Sequence, residues 1–203
     1  MKLEDIKCVG IVGAGVMGGG IAQSIILSGT KVILRDLTDE ICERAKDTII
    51  NSKFGLKVGA ERGKHTQQEV DDAIALLNVT TNLEDLKNCD LIIEAIGGGD
   101  DGAIENKPMK LKVFEELENI VKKEAIFVTN TSKFTIADLA VATNRKNLFI
   151  GGHFFSPANI MKLVEVTSTQ DTDEDVTEVL IELSKKWGKV PVRVKDVPGD
   201  TGF

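Results

Sequence analysis

The chain has 203 residues, and its 32 acidic against 25 basic side chains give a formal net charge of −7. That balance, with 4% aromatic residues and no basic stripe, argues against nucleic acid as a partner. The length suits one sizeable domain. Cys8, Cys42 and Cys89 are scattered and odd in number, which reads as free thiols in a reducing, cytoplasmic compartment. The two histidines, His65 and His153, lack suitably spaced partners, so no metal site is expected. Neither a signal peptide nor a long apolar span is seen, so no membrane association is expected.

Strands alternate with helices along the chain, the pattern of a parallel α/β sheet. Cys8 to Val12 predicts a buried strand, and Val16 to Leu27 an apolar helix stopped by Ser28 and Gly29. Lys31 to Leu34 predicts a second strand leading to Asp36. Gly13, Gly15 and Gly18 stand in G-x-G-x-x-G spacing between the first strand and the helix. Gly13 permits the tight turn, Gly15 lets the backbone approach a pyrophosphate, and Gly18 lets helix and strand pack closely. The helix start, with Ala14, Val16 and Met17, offers free N–H groups and a positive dipole end to phosphates. Asp36 sits where an acid accepts hydrogen bonds from both ribose hydroxyls of an adenosine. The same carboxylate repels a 2′-phosphate, so the pattern predicts NAD rather than NADP. A lone glycine motif is weak, but this one has the strand, helix and acid that its chemistry requires. Arg35 dissents, since an arginine there could meet a 2′-phosphate; it is read as an outward-facing surface residue.

Residues 38 to 60 predict a helix capped by Thr38 or Asp39, and the capping box Thr66 to Glu69 opens another that runs to Leu77. Between them, Lys57, Arg62 and Lys64 lie on a polar helical hairpin. It reads either as a solvated arm or as a basic grip for a phosphorylated substrate such as coenzyme A. A short strand is predicted at Asn78 to Thr81 and a helical turn at Leu83 to Lys87. The strand from Asp90 to Ile96 carries Glu94 and Ala95 towards the crevice beyond the carboxyl ends of the strands. Residues 97 to 103 read as a flexible or inserted loop, followed by a helix through Lys122. The strand Ala125 to Thr129 ends in Asn130, Thr131, Ser132 and Lys133. These read either as a turn with an N-cap for a helix near Ile136 or as polar groups delivered to the same rim. The convergence of several strand ends favours the second reading.

The strand Leu148 to Phe155 delivers His153 inside an apolar run. After the turn Ser156 to Asn159, the stretch Met161 to Thr167 alternates, so Leu163 and Glu165 share a face. A helix from Asp173 to Lys186 and a strand from Val190 to Val194 close the pattern. His153 and Glu165 are polar residues in neighbouring apolar strands and are placed to meet. A carboxylate on one imidazole nitrogen fixes the tautomer and stabilises the imidazolium, leaving the other nitrogen as a general base. Beside a nicotinamide, that base takes the proton of a substrate hydroxyl, and Ser132 can hydrogen-bond the same oxygen.

These stretches resemble the NAD-binding domain of the L-3-hydroxyacyl-CoA dehydrogenases, including the 3-hydroxybutyryl-CoA dehydrogenases. The resemblance is carried by Gly13 to Gly18, Leu91 to Ala95, Glu105 and Asn106 with Lys110 and Phe114, Asn130 to Ser132, His153 to Asn159, Met161 to Glu165 and Gly188 to Gly199. It implies a Rossmann-type, doubly wound, mostly parallel sheet with a protruding helical arm at about 38–77. Residues 1–199 would form the NAD-binding domain, and 200–203 begin a linker to a helical domain that is not in this sequence. It implies that Gly13, Gly15, Gly18 and Asp36 hold the adenosine diphosphate half of NAD, with Glu105, Lys110 and Ser156 towards the nicotinamide. It makes Ser132 a contact to substrate oxygen, His153 the base, Glu165 its orienting partner and Lys64 a coenzyme A contact. The reaction implied interconverts L-3-hydroxyacyl-CoA and 3-oxoacyl-CoA, in a homodimer built through the helical domain, and this chain alone is expected to bind NAD but turn over poorly. Departures are the 97–103 insertion before Glu105, Ser156 where many members have Asn, and Lys133 in place of a small residue. Rival readings are a non-catalytic NAD-binding module of crystallin type, or a hydroxy-acid dehydrogenase that uses a lysine from a later domain as its acid/base. Intact His153, Glu165 and Ser132 weigh against both.

Overall fold

A parallel strand buried on both faces must be apolar along its whole length, because helices cover it above and below. Four-to-six-residue runs of this kind form the centre of the structure. The computed structural model describes residues 2–97 and 104–197. Its strands are β1 (Cys8–Val12), β2 (Lys31–Arg35), β3 (Leu77–Thr80), β4 (Leu91–Glu94), β5 (Ile126–Thr129), β6 (Phe149–Phe154), β7 (Leu163–Ser168) and β8 (Val190–Lys195). Helices α1 (Val16–Leu27), α2 (Asp39–Asn51), α3 (Leu56–Glu61), α4 (Gln67–Ala75), α5 (Lys107–Ile120), α6 (Ile136–Ala140) and α7 (Glu174–Lys186) connect them.

The eight strands form one sheet in the order β3-β2-β1-β4-β5-β6-β7-β8. Every neighbouring pair is parallel except β6 with β7. The order reverses between β1 and β4, and such a reversal opens a crevice beyond the carboxyl ends of the strands. The fold is thus the parallel α/β sheet that the alternation predicts, in the doubly wound, mostly parallel form that the resemblance implies. One apolar layer packs α1, α2, α4 and α7 on the sheet through residues such as Ile21, Ile49, Val70 and Leu180. The opposite layer packs α5 and α6 through Phe114, Leu117 and Leu139. There Phe114 stands edge-on to Phe149, with ring centroids 4.7 Å apart.

The helix expected over 38–60 is two helices. Thr38 caps α2 by accepting from Ile41 N, as read, but Ser52 turns extended and α3 starts only after Gly55. A Cβ on Gly55 would lie 2.8 Å from both Ile50 O and Ser52 N, so the chain folds back tightly there. The capping box of Thr66 and Glu69 is present at the start of α4. That helix stops at Leu76, because Leu77 already pairs with Val32 in the sheet. The helix expected to reach Lys122 ends at Ile120, where Val121 turns extended. Arg35 is half-buried rather than outward-facing, and its Nε donates to Thr81 O at 3.2 Å. Of the loop expected at 97–103, residues 98–103 lie outside the described residues, as do the linker residues 200–203.

The junction of β1 and α1 leaves no room for a side chain at Gly18, where a Cβ would fall 1.7 Å from Gly13 O. Overpacking against backbone costs about 1–3 kcal/mol or more. Gly18→Ala is expected to lower the urea midpoint by a stability loss of that size; an unchanged midpoint would show that the loop yields freely.

Candidate active site

Five strand ends meet at the reversal, and each delivers a different group. The turn after β1 starts with Gly13 at φ +104°, and its N–H donates to Arg35 O at 2.9 Å. A Cβ on Gly13 would sit 2.5 Å from Ala95 O, so this glycine meets both a conformational and a steric demand. Gly15 is different. Its φ is −69° and a Cβ there would touch nothing within 4 Å. The backbone at Gly15 faces open space, at the start of a helix whose first N–H groups have no side-chain cap. Free amides and a dipole end around an open space fit a pyrophosphate. Val16, 73% exposed, stands on the same lip. Asp36, after β2, is half-buried and its Oδ2 accepts from Ala14 N at 2.6 Å. That bond ties the Asp36 carboxylate to the glycine turn. The residues present therefore fit a dinucleotide.

The ends of β4 and β5 carry a buried polar network. Glu94 is fully buried and accepts from Lys110 Nζ at 2.7 Å, Ile96 N at 2.6 Å and Thr129 Oγ1 at 2.6 Å. Lys110 is 1% exposed and also lies 3.4 Å from Glu105 Oε2. Glu105 in turn accepts from Ser132 N at 2.7 Å, Ser132 Oγ at 3.0 Å and Thr131 Oγ1 at 2.5 Å. Burial pushes the Glu105 carboxyl up, but the Lys110 ammonium and the donors from Thr131 and Ser132 outweigh it, so its net shift is downward. Glu105 therefore meets both Lys110 and Ser132. Lys110 lies beneath the carboxylates and holds them in place. Ser132 is exposed, and its hydroxyl proton is directed at Glu105.

His153, near the end of β6, lies directly opposite Glu165 in the antiparallel ladder with β7. Its Nδ1–H donates to Glu165 Oε2 at 2.9 Å. The imidazole is 17% exposed and the carboxylate 6%. With the proton held on Nδ1, Nε2 carries the lone pair, and no partner meets it among the described residues. The ring also lies against Phe155, centroids 4.6 Å apart. Ser156 is exposed on the following turn. Lys64 is exposed on the turn between α3 and α4, and Lys57 and Arg62 are exposed beside it. Among the described residues no side-chain bond ties Lys64 to the crevice.

Several residues organise the site from outside the His153–Glu165 pair. Asn130 Oδ1 accepts from Phe154 N at 2.8 Å and so joins the end of β5 to the strand that carries His153. Lys189, buried, donates to Ala158 O at 2.5 Å and Met161 O at 3.1 Å, and burial pushes its ammonium pKa down. Asn159 Nδ2 donates to Gln23 Oε1 at 3.0 Å and Phe54 O at 3.1 Å. A polar residue among apolar neighbours marks Glu94 as unusual, but nothing local marks its partners.

A glycine turn open at a helix start, an aspartate just after β2 and a histidine–carboxylate pair lie on one rim, a set that fits a dinucleotide with a proton acceptor beside it. The comparisons make this specific. Residues 8–197 match the family described as 3-hydroxyacyl-CoA dehydrogenase, NAD binding domain. A probable 3-hydroxybutyryl-CoA dehydrogenase of Deinococcus radiodurans is 38% identical over 94% of this chain and 64% of its own. The mitochondrial hydroxyacyl-coenzyme A dehydrogenase of Sus scrofa is 37% identical over 96% of this chain and 60% of its own. The crystal structure of (S)-3-hydroxybutyryl-CoA dehydrogenase from Ralstonia eutropha superposes with a TM-score of 0.88 at 36% identity, covering 97% of this chain and 66% of that one. The chain belongs to the 3-hydroxyacyl-CoA dehydrogenase family as its NAD-binding domain, and it spans under two thirds of those relatives' lengths.

Three substitutions separate cradle from scaffold. Gly15→Ala adds a methyl to open space, so folding stability is expected to change by no more than about 1 kcal/mol, the scale of a helix-start substitution. NADH affinity, read by fluorescence titration, is expected to fall at least tenfold; equal affinity would place the pyrophosphate elsewhere. Lys110→Met strands the Glu94 charge in the interior, which costs about 3–5 kcal/mol. Adding Glu94→Leu is expected to restore most of that loss in urea denaturation, whereas purely additive losses would contradict charge burial as the cause.

Proposed function

We propose that this chain is the NAD-binding and proton-transferring part of an enzyme that interconverts L-3-hydroxyacyl-CoA and 3-oxoacyl-CoA. The observation that carries the proposal is the 2.9 Å His153–Glu165 bond on the rim that also bears the glycine cradle, in a chain of this family. NAD supplies the hydride acceptor when bound. His153 Nε2 takes the proton of the 3-hydroxyl as the carbon is oxidised, and returns it in the reverse direction. Glu165 keeps the ring in the tautomer that leaves Nε2 free, and balances the imidazolium once it forms. Ser132 positions the substrate oxygen by turning its hydroxyl from Glu105 towards it. Glu105 keeps the Ser132 amide fixed during that exchange.

The exposed cations Lys57, Arg62 and Lys64 support a coenzyme A grip on the arm, since the phosphates of that group need cations and not a closed pocket. Asp36 supports NAD over NADP. For a whole protein of the relatives' length, we propose a homodimer formed through a helical domain. The cytoplasmic setting rests on the odd, scattered cysteines. Among the described residues no helix is long and apolar enough to cross a membrane.

The test follows NADH absorbance on addition of acetoacetyl-CoA, with NADH affinity measured separately. The wild-type chain is expected to consume NADH, at low turnover if the acyl pocket needs a further wall. His153→Gln is expected to reduce that rate by about 10²–10⁴-fold, the usual share of a general base, with NADH affinity unchanged. Retained turnover in His153→Gln would remove the base from this mechanism, and binding of NADH without consumption by the wild type would confine the chain to cofactor binding.

A further inference from the structure

Two thiols meet at the end of the sheet remote from the crevice. Cys8 opens β1, and Cys89 lies two residues before β4. Their sulfurs are 3.6 Å apart. The backbone around them is pinned: Asp90 N donates to Cys8 O at 2.9 Å, and Asp90 Oδ2 accepts from Lys7 N at 2.8 Å and Cys8 N at 2.9 Å. The contact therefore sits where the segment just before β4 is tied to the first residue of β1.

The two sulfurs are unequal. Cys8 is half-buried, whereas Cys89 is completely buried. The hydrogen bond from Cys89, helped by the Lys31 and Lys122 ammoniums, lowers the Cys8 thiol against burial and the Asp90 carboxylate. The Cys89 thiol is driven up by the same hydrogen bond and by burial. Asp90 and Lys122, paired with each other, also line an open cleft of about 650 Å³ with Asp5, Lys123, Glu124 and Leu148. Neither cysteine lines that cleft; Asp90, which does, accepts from the Cys8 amide, and the half-buried Cys8 is the more accessible of the two sulfurs. Cys42 makes a contrast: it is buried, its Sγ–H donates to Thr80 O at 3.2 Å, and burial raises its thiol.

We propose that Cys8 and Cys89 form a peroxide-reactive dithiol site, with Cys8 as the attacking sulfur and Cys89 as the resolving one. The Cys8 thiolate attacks one oxygen of hydrogen peroxide, the O–O bond breaks, and the departing hydroxide takes a proton to leave as water. Cys8 is then a sulfenic acid. The Cys89 sulfur attacks Cys8, the S–O bond breaks, and hydroxide leaves with the Cys89 proton as a second water. Two thiols are oxidised by two electrons in all, and one peroxide is reduced to two waters. The disulfide ties together the starts of the two strands that lead to the Gly13 turn and to Glu94. This site is independent of the proposed reaction, so its test does not depend on substrate turnover.

The experiment treats the folded chain with hydrogen peroxide and maps thiols by mass spectrometry. The expected result is loss of two free thiols, one linked Cys8–Cys89 peptide pair, full reversal by a dithiol reductant and a reduced Cys42. Cys89→Ser is expected to stop at a Cys8 sulfenic acid that dimedone traps, and Cys8→Ser to leave Cys89 reduced at the same dose. In the wild type, sulfinic acid at Cys8 with Cys89 still a thiol would overturn the proposal. So would oxidation of Cys42 as fast as Cys8. The wild-type map decides by itself if a variant folds poorly.

Discussion

A carboxylate with no access to water must find its partners inside the protein, and Glu94 at the end of β4 finds three. Thr129 fixes β4 to β5, Lys110 draws α5 against the sheet, and Ile96 N turns the chain away from the strand. Lys110 then reaches Glu105, which holds Thr131 and Ser132. One buried charge thus sets the relation of two strand ends, one helix and the exposed serine. An isolated buried carboxylate is too costly to persist, and so is a lone buried ammonium. The pair therefore behaves as a latch: either both halves are in place or the crevice floor comes apart. That accounts for charged groups inside an otherwise apolar parallel sheet better than any gain in stability, since buried ion pairs add little by themselves.

The second constraint is the direction of β7. In a parallel sheet, one end of every strand lies at the crevice and the other lies remote from it. His153 is near the end of β6 and Glu165 near the start of β7, so two parallel strands would set them at opposite edges. The single antiparallel pairing brings Glu165 opposite His153. The short turn 155–162 is long enough for that reversal and too short for a parallel crossover, which needs a dozen residues or more. The chain thus spends its one change of direction at the place where two side chains must meet.

Legibility in the sequence follows the range of the interactions. The glycine turn, α1, the Thr38 cap and the capping box at Thr66 depend on neighbours a few residues away, and all were readable as patterns. The pairing of His153 with Glu165 was readable because twelve residues with one turn constrain the geometry strongly. The break at Ser52–Gly55 was not, since the helical periodicity runs on through it and only the close approach to Ile50 O forces the fold-back. Arg35 read as surface because its partner Thr81 is 46 residues away. Glu94 was visible as a polar residue on the rim, but its Lys110 and Thr129 partners lie 16 and 35 residues on. No local pattern encodes those distances.

The turn 156–161 shows how the separate parts become one site. It must sit against α1, and α1 accepts it only where the helix has no side chain: a Cβ on Gly20 would lie 3.0 Å from Asn159 N and 3.1 Å from Ala158 Cβ. Seated there, Asn159 bonds Gln23 of α1 and Phe54 O at the base of the arm. Gln23 bonds the same carbonyl at 2.8 Å. Lys189, just before β8, holds the other side of the turn. Helix α1, the strand that carries His153 and the segment between α2 and α3 are thereby joined through one small turn. A displacement of any of the three is passed to the others through that turn, because a seat against backbone and five hydrogen bonds leave little slack. In hydride chemistry the reacting atoms must be held within a fraction of an ångström. Relative placement of α1 and His153 is then the property the turn protects, through Gly20 and Asn159.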